Sequence, residues 1–525
     1  MVKVLISDKM SPRAAEIFRE RGVEVDEKPG MTPEELKACI GEYDGLAVRS
    51  ATKATAEIIE AATNLKVIGR AGIGVDNVDI PAATAAGVCV MNTPFGNAIT
   101  TAEHAIAMMF SLSRHIPAAN ASTQAGKWEK SKFMGVELYG KTLGVIGCGN
   151  IGSIVADRAV GLKMKVAAYD PFLSPERALE LGVEKLELDD LFARADYISL
   201  HTPITDSTRN IINAKNIAKM KPGVRIINCA RGGLVVEEDL KAALESGHVA
   251  GAALDVFVVE PAKENILFGM ENVVTTPHLG ASTDEAQVNV AIQVAEQMSD
   301  YLLVGSVTNA LNMPSVTAEE APKLKPYMEL ASQLGSFAGQ VTESGIKSVR
   351  IEYEGAAASL NTKPLTSIII QGLLAPLLDT INMVNAPLVA KERGIDVTES
   401  YNDRDDDYQT LIRLSITTEH QTRDIAGTLF GGDRPRIVNI KGINMEAEIG
   451  PHMLYVTNQD KPGFIGALGS VLGDAGVNIA TFHLGRHKQE GEAIALIEID
   501  SELSVETLEN VCKLPHVAQV KPLKF

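Results

Sequence analysis

Residues Leu143 to Asp170 read LGVIGCGNIGSIVADRAVGLKMKVAAYD. An apolar run, Leu143 to Ile146, enters Gly147-x-Gly149-x-x-Gly152, a helical pattern from Ile151 to Leu162 follows, and a second apolar run, Val166 to Tyr169, ends on Asp170. Strand, glycine turn, helix, strand and acid in that order are the parts of a dinucleotide cradle. Gly147 allows the tight turn, Gly149 lets backbone approach a pyrophosphate, and Gly152 lets helix and strand lie close. The diphosphate would rest on the free amides of the helix N-terminus, where the helix dipole is positive. Asp170 would accept hydrogen bonds from the adenosine ribose, and its charge repels a 2′-phosphate, so NAD is expected rather than NADP.

On the amino-terminal side of this unit, apolar strands alternate with amphipathic helices: VKVLIS, PRAAEIFRERG, GLAVRS, LKVIGRAG, VCVMNTP. They complete a parallel α/β sheet before the glycine turn begins. Thr100 to His115 predicts one long buried helix capped by its first polar residues, with His104 and His115 structural, and then a loop through Gly126, Lys127 and Trp128. After Asp170 the strands continue as YISLH, VRIINCA, GAALDV and NVVTTP, and Asp284 to Leu303 predicts an amphipathic helix. From Ser315, SVTAEEAPKLKPY reads as a linker into a mixed helix and strand region. His452 to Phe525 follow a βαββαβ order.

The chain of 525 residues is too long for one core, and 45% hydrophobic with 22% charged residues is ordinary for a globular protein. A net charge of −18 argues against nucleic acid or an anionic membrane as the main partner. The five cysteines, Cys39, Cys89, Cys148, Cys229 and Cys512, show neither disulfide nor zinc spacing, so a reduced, cytoplasmic protein without a bound metal is expected. No long uncharged apolar run and no cationic N-terminus ahead of a cleavage site stand out, so neither a membrane span nor a signal peptide is expected.

In an open parallel sheet, ligands sit beyond the carboxyl ends of the strands. Arg231, Glu260 and His278 lie just after such ends. Hydride transfer from a 2-hydroxy acid needs a base for the hydroxyl proton and a cation for the carboxylate. His278 suits the base, Glu260 would hold the other ring nitrogen and fix its tautomer, and Arg231 offers a fork for the carboxylate. Taken singly, each has a plainer reading: a satisfied histidine, a turn-capping arginine, an exposed loop acid. Equivalent positions in one sheet favour joint chemistry. Asp255 either touches the nicotinamide side of the cofactor or orders its loop. Arg49 and Ser50, Asn97, and the loop holding Gly72 and Gly74 would complete the pocket, with Arg49 equally consistent with a surface ion pair.

RAGIGVDNVD, GKTLGVIGCGNIG, AYDPF, HTP, NCARGG, ALDVFVVEP and PHLGAST together resemble the D-isomer-specific 2-hydroxyacid dehydrogenase family. The tail resembles an ACT domain, which points to the long members acting on 3-phospho-D-glycerate. The resemblance implies an α/β fold in which a Rossmann-type doubly wound parallel sheet, residues 99–284, is inserted in a flavodoxin-like substrate domain, residues 1–98 and 285–317. An α+β intervening domain, 318–450, and the ACT domain, 451–525, would follow. It implies that His278 is the proton donor and acceptor, Glu260 its partner and Arg231 the carboxylate arginine. NAD contacts are implied for Gly147, Gly149, Asn150, Ile151, Gly152, Asp170, Thr202, Cys229, Ala230, Arg231, Asp255, His278, Leu279, Gly280 and Ala281. Ile73 stands where relatives often have threonine, so only its backbone is expected to contribute. Arg49, Ser50 and Asn97 match substrate positions, and Lys130 is expected to reach a neighbouring subunit's active site. Asn458, Asp460 and Asn478 match positions where relatives bind serine across a subunit interface, although relatives carry tyrosine or histidine in place of Asn458. The implied activity is the NAD-dependent oxidation of 3-phospho-D-glycerate toward L-serine by a homo-oligomer, dimer or tetramer, with 2-oxoglutarate reduction as a side activity. Alternatives are a dehydrogenase for glycerate, hydroxypyruvate or D-lactate, and a corepressor-like NAD sensor, against which Arg231, Glu260 and His278 speak.

Overall fold

The computed structural model describes residues 2–316, 320–378, 380–403 and 408–525, so the expected junction at 317/318 lies outside the described residues. Strands β1 (Lys3–Ile6), β2 (Glu24–Glu27), β3 (Gly45–Val48), β4 (Val67–Arg70) and β5 (Cys89–Asn92) form a parallel sheet in the order β2-β1-β3-β4-β5. Both faces are covered. Leu5, Leu46, Ile68 and Val90 enter one apolar layer, while Val4, Ile6, Ala47, Val67 and Met91 enter the other. This is the period of two expected of a strand, doubled because helices lie on each side. The second layer is completed from far along the chain: the helix Asp284–Val304 contributes Val290, Val294 and Met298. Gly69 makes that possible, since a Cβ there would stand 2.2 Å from Met298 Sδ.

The second sheet holds β6 (Thr142–Ile146), β7 (Lys165–Tyr169), β8 (Glu184–Lys185), β9 (Tyr197–Leu200), β10 (Val224–Asn228), β11 (Val249–Leu254) and β12 (Val273–Thr275). Its order is β8-β7-β6-β9-β10-β11-β12, all parallel, so the winding reverses between β6 and β9 and opens a crevice beyond their carboxyl ends.

Two sequence expectations need correction here. The long helix runs Ala98–Ser113, so Thr100 and Thr101 sit inside its first turn, and His115 breaks it with a left-handed backbone (φ 52°) before a further helix, Ile116–Gln124, that the sequence reading took for loop. Residues 315–327 are not all linker, because a helix spans Ala321–Val341. Pro322 is tolerated in its first turn, and the cost of Pro326 is offset by an apolar face from Leu324 through Leu330, Leu334 and Phe337 to Val341.

That face covers a six-stranded sheet, β13 (Ile346–Gly355), β14 (Asp396–Asn402), β15 (Thr410–Thr418), β16 (Thr422–Phe430), β17 (Arg434–Ile440) and β18 (Ile443–Ala447), ordered β14-β13-β15-β16-β17-β18. The last sheet, β19 (His452–Gln459), β20 (Ile479–Arg486), β21 (Glu492–Ile499) and β22 (Val517–Lys524), is antiparallel in the order β20-β21-β19-β22, with its own core around Leu454, Leu468, Ile497 and Val511. Its opposite face is not free. Met453, Tyr455, Ile494, Leu496 and Leu523 join the core of the preceding domain, and the Tyr455 ring meets Phe337 edge to face at 5.5 Å. Phe337→Ala is expected to lower the stability of this carboxy-terminal pair by about 3–5 kcal/mol, read in urea unfolding of the full chain, with NADH affinity unchanged.

Candidate active site

The glycine turn has three different environments. Gly147 adopts φ 88°, and a Cβ there would lie 2.5 Å from the His201 carbonyl oxygen, because the ends of β6 and β9 meet at the reversal point. Gly152 would place a Cβ 1.9 Å from the Gly147 carbonyl oxygen, so helix and strand are in backbone contact. A Cβ on Gly149 would meet nothing within 4 Å. Open space stands there at the N-terminus of the helix Asn150–Gly161, which has no capping side chain and so leaves its first amides available to a diphosphate. Asp170 follows β7 and accepts from Cys148 N at 2.8 Å and Phe172 N at 2.8 Å, which fixes its carboxylate beside the turn. Ile151 packs partly buried on the core, Asn150 leans toward the Pro94 carbonyl, and Thr202 stands at the carboxyl end of β9. The cradle fits a dinucleotide.

At the other side of the crevice, His278 Nδ1 lies 2.7 Å from Glu260 Oε2. Glu260 also accepts from Phe257 N at 3.0 Å. Burial pushes the Glu260 carboxyl up, but the hydrogen bonds from His278 and Phe257 outweigh it and hold the group below its usual value. An ionised carboxylate only accepts, so the shared proton sits on Nδ1, and in the neutral imidazole Nε2 is the nitrogen that bears the lone pair. Both side chains line a cavity of about 260 Å³. The loop bearing His278 is tied to Asp255, which is fully buried. Its Oδ1 accepts from Thr276 Oγ1 at 2.6 Å and Leu279 N at 2.7 Å, and its Oδ2 from Gly280 N at 2.8 Å. Of the two roles expected for Asp255, this geometry carries the ordering of the loop. The donor atoms of His104, Cys229 and Asp255 lie within 4.8 Å of one another. The carboxylate is already spent on protein donors, and burial pushes the Cys229 thiol far above its ordinary value, so the cluster is an anchor and suits a metal poorly.

Arg231 follows β10, where the buried Asn228 side chain accepts from Ala230 N at 3.0 Å and donates to the Arg231 carbonyl at 2.8 Å, closing the turn through Cys229. The Arg231 guanidinium reaches the first sheet: Nε donates to Asp76 at 2.8 Å, and a Cβ on Gly74 would stand 1.6 Å from Nη2. Arg70, at the end of β4, lies against Gly72. Burial first, then the positive charges of Arg231 and Arg49, pull its pKa down to about 10. Arg49 follows β3, held by Asp8, which accepts from Arg49 N at 2.6 Å and from Thr52 Oγ1 at 2.7 Å. The Nε atoms of Arg49 and Arg70 and Oδ1 of Asn97 are buried without partners. Ser50 is exposed, the Ile73 carbonyl accepts from Asn92, and Ala281 accepts from Gln287. Lys130 stands on an exposed single turn, Lys130–Lys132.

Residues 106–280 match the family model described as D-isomer specific 2-hydroxyacid dehydrogenase, NAD binding domain. Residues 323–441 match the D-3-phosphoglycerate dehydrogenase intervening domain, and residues 452–516 the ACT domain. The D-3-phosphoglycerate dehydrogenase of Synechocystis sp. is 44% identical, over 100% of this chain and 95% of its own. The chain belongs to the D-isomer specific 2-hydroxyacid dehydrogenase family. The D-3-phosphoglycerate dehydrogenase of Bacillus subtilis is 43% identical over 99% of each chain. Among solved structures, a glyoxylate reductase from Paecilomyes thermophila is similar with a TM-score of 0.56 at 31% identity, over 59% of this chain and 98% of that one. The apo D-lactate dehydrogenase of Escherichia coli matches with a TM-score of 0.53 at 29% identity, over 59% and 100%.

In the dehydrogenase's ACT module the three expected effector residues do not meet within one chain. Asn458 pairs with Ala493 and Ile479 with Ile499, so Asn458 and Asn478 stand near opposite ends of β21, roughly 20 Å apart at the rise of a strand. Asn458 is buried, Asp460 holds Arg486 at 2.6 Å, and Asn478 donates to Asp500 at 2.8 Å. Among the described residues, no helix is long and apolar enough to cross a membrane. The sequence reading missed Arg70, Asp76, Asn228 and Asp8. Three of these follow or close a strand of a parallel sheet, the signal that found Arg231, while Asp76 had none. Burial pulls the His201 imidazole down to about 4, with Nδ1 unpartnered beside the glycine turn. A base depressed in the folded state favours folding fully above its ordinary 6.5 and loses that contribution as pH falls toward 4. The wild type should therefore lose on the order of 3 kcal/mol across that window, and His201→Asn should flatten the fall in urea melts at stepped pH.

Proposed function

We propose that this chain oxidises 3-phospho-D-glycerate to 3-phosphooxypyruvate with NAD, the step that commits carbon to L-serine. The observation that carries this reading is the set of guanidiniums, Arg49 and Arg231 acting on Arg70 with few acids to neutralise them, with Arg231 on a turn whose Gly232 is in backbone contact with Phe257, the residue whose N–H Glu260 accepts. A 2-hydroxy acid that also bears a phosphate offers two anionic ends and matches that charge. Arg231 takes the carboxylate as a planar fork, and Arg49 and Arg70, whose buried Nε–H groups lack partners, take the phosphate. The bound NAD supplies the hydride acceptor. His278 Nε2 removes the hydroxyl proton at C2, while Glu260 stabilises the imidazolium through Nδ1. Gly147, Gly149 and Gly152, the Asn150 and Ile151 amides and Asp170 hold the dinucleotide. Ile73, Thr202, Cys229, Ala230, Asp255 and the loop Leu279 to Ala281 flank it.

The reading divides the chain into residues 1–98 with 285–317 for substrate, 99–284 for cofactor, and 318–450 and 451–525 for regulation. It places the protein in the cytoplasm as a homo-oligomer in which Lys130 meets a neighbour's site. Asn458, Asp460 and Asn478 would assemble an L-serine site between two ACT modules, since one chain separates them. A reductase for unphosphorylated 2-oxo acids is the second reading, supported by the likeness to the glyoxylate reductase and D-lactate dehydrogenase folds.

An NADH assay with 3-phosphoglycerate and with glycerate separates the two. Arg70→Ala should cost about 10- to 100-fold in kcat/KM for the phosphorylated acid and far less for glycerate. Equal losses on both substrates would refute the phosphate assignment. His278→Ala should lower kcat by about 10²- to 10⁴-fold with an unchanged NADH dissociation constant.

A further inference from the structure

We propose that Asp76, on the first sheet's loop, is a positioning residue that sets the orientation of the Arg231 guanidinium for the substrate carboxylate. The proposal deepens the reading of Arg231 given above and rests on it. The plainest account of this pair is an exposed ion pair, which would contribute little. Three features distinguish it. Asp76 takes Arg231 Nε–H at 2.8 Å, the Ala230 carbonyl takes an Nη1–H at 2.7 Å, and the Gly74 backbone lies so close that a Cβ would stand 1.6 Å from Nη2. With these contacts the planar group cannot rotate. What remains unspent is Nη2 and the second proton of Nη1, the end-on edge whose two parallel donors match a carboxylate.

The second feature is charge. Arg49, Arg70 and Arg231 repel one another, and Asp8 and Asp76 are the acids whose fields reach Arg70. Asp8 is committed to Arg49 N, Thr52 N and Thr52 Oγ1. Asp76 is therefore the acid left to hold Arg231 against the Gly74 loop. The third is topology. Asp76 lies in the loop well beyond the end of β4 of one sheet and Arg231 follows β10 of the other, so the fork is aligned only when the two sheets stand at this separation. Orientation of the carboxylate donor is thereby tied to the relative placement of the two domains.

The test measures kcat, KM and NADH dissociation constants for wild type, Asp76→Ala, Asp76→Asn, and Asp76→Ala combined with Arg231→Lys, using whichever 2-hydroxy acid the wild type oxidises fastest. Asp76→Ala is expected to lose about 10- to 100-fold in kcat/KM with NADH affinity within about twofold of wild type. Asp76→Asn, whose amide oxygen still accepts from Nε–H, should recover most of that loss. In the Arg231→Lys background, where no Nε–H fork exists, Asp76→Ala should cost less than about threefold. A residue that merely supported the loop would cost the same factor in both backgrounds. That additivity, or an Asp76→Ala enzyme within about twofold of wild type, would overturn the proposal. A wild type that prefers an unphosphorylated acid would sink the phosphate assignment while leaving the coupling of Asp76 and Arg231 fully readable. A wild type inactive on every 2-hydroxy acid would overturn both.

Discussion

A single carboxylate with no exposed surface organises the catalytic end of this molecule. Asp255 gathers the Thr276 hydroxyl and the Leu279 and Gly280 amides, with His104 Nε2 at 3.2 Å behind it. Burial works to raise its pKa, yet the hydrogen bonds from His104, Thr276 and Leu279 prevail and keep it ionised. Removing such a charge from water is costly unless every oxygen finds a donor. Here the donors come from the helix Ala98–Ser113 and from the loop after β12, and the backbone amide of Asp255 itself bonds to Asn228 on β10. The loop that bears His278 is therefore held at both ends of a buried polar network, and the left-handed backbone of His278 (φ 56°) is a local strain this network sustains.

Much of the fold and of the nucleotide half of the site was legible in the sequence, because both rest on local rules. Three glycines with distinct steric demands, an acid at the end of the next strand and an alternation of apolar strands and amphipathic helices are each written within a few dozen residues. Arg231, Glu260 and His278 were singled out because strand ends in a parallel sheet point at one crevice. Of the partners that aim those groups, Glu260 and Asp255 were legible and the others were not. Asp76 is far from Arg231 in sequence and meets it only through the stacking of two sheets. Asn228 closes its turn through the Ala230 amide and the Arg231 carbonyl, whose directions no residue pattern encodes, whereas the ordering of a loop by Asp255 was one of the two roles its place after a strand suggested. The helix Ile116–Gln124 escaped for a different reason: it buries none of its residues, so it leaves no apolar periodicity to read.

The carboxy-terminal half shows the limit of reading domains as separate modules. The ACT sheet has a core of its own on its helical face, yet its other face lends Met453, Tyr455, Ile494 and Leu496 to the core beneath the helix Ala321–Val341. The two units share one apolar core. The unit with that helix touches the first sheet's domain: Asn382 donates to the Gly87 carbonyl at 2.9 Å in a gap only a glycine leaves, and Val384 enters the apolar layer that also holds Val290 and Met298. The ACT module is thus joined, through a shared core and these contacts, to the domain that carries Arg49, Arg70 and Asp76.

The late return of the chain to its first sheet has a consequence for biogenesis. Until the segment carrying Val290, Val294 and Met298 has emerged from the ribosome, one side of that sheet is covered only in part, by Ala14, Ala15, Ile17 and Phe18 of the helix Arg13–Glu20, whereas the inserted nucleotide fold already possesses all its strands. Synthesis from the amino terminus therefore completes the strands of the inner domain before the outer one can close around it, and the half-built outer sheet leaves part of its apolar side exposed in the nascent chain.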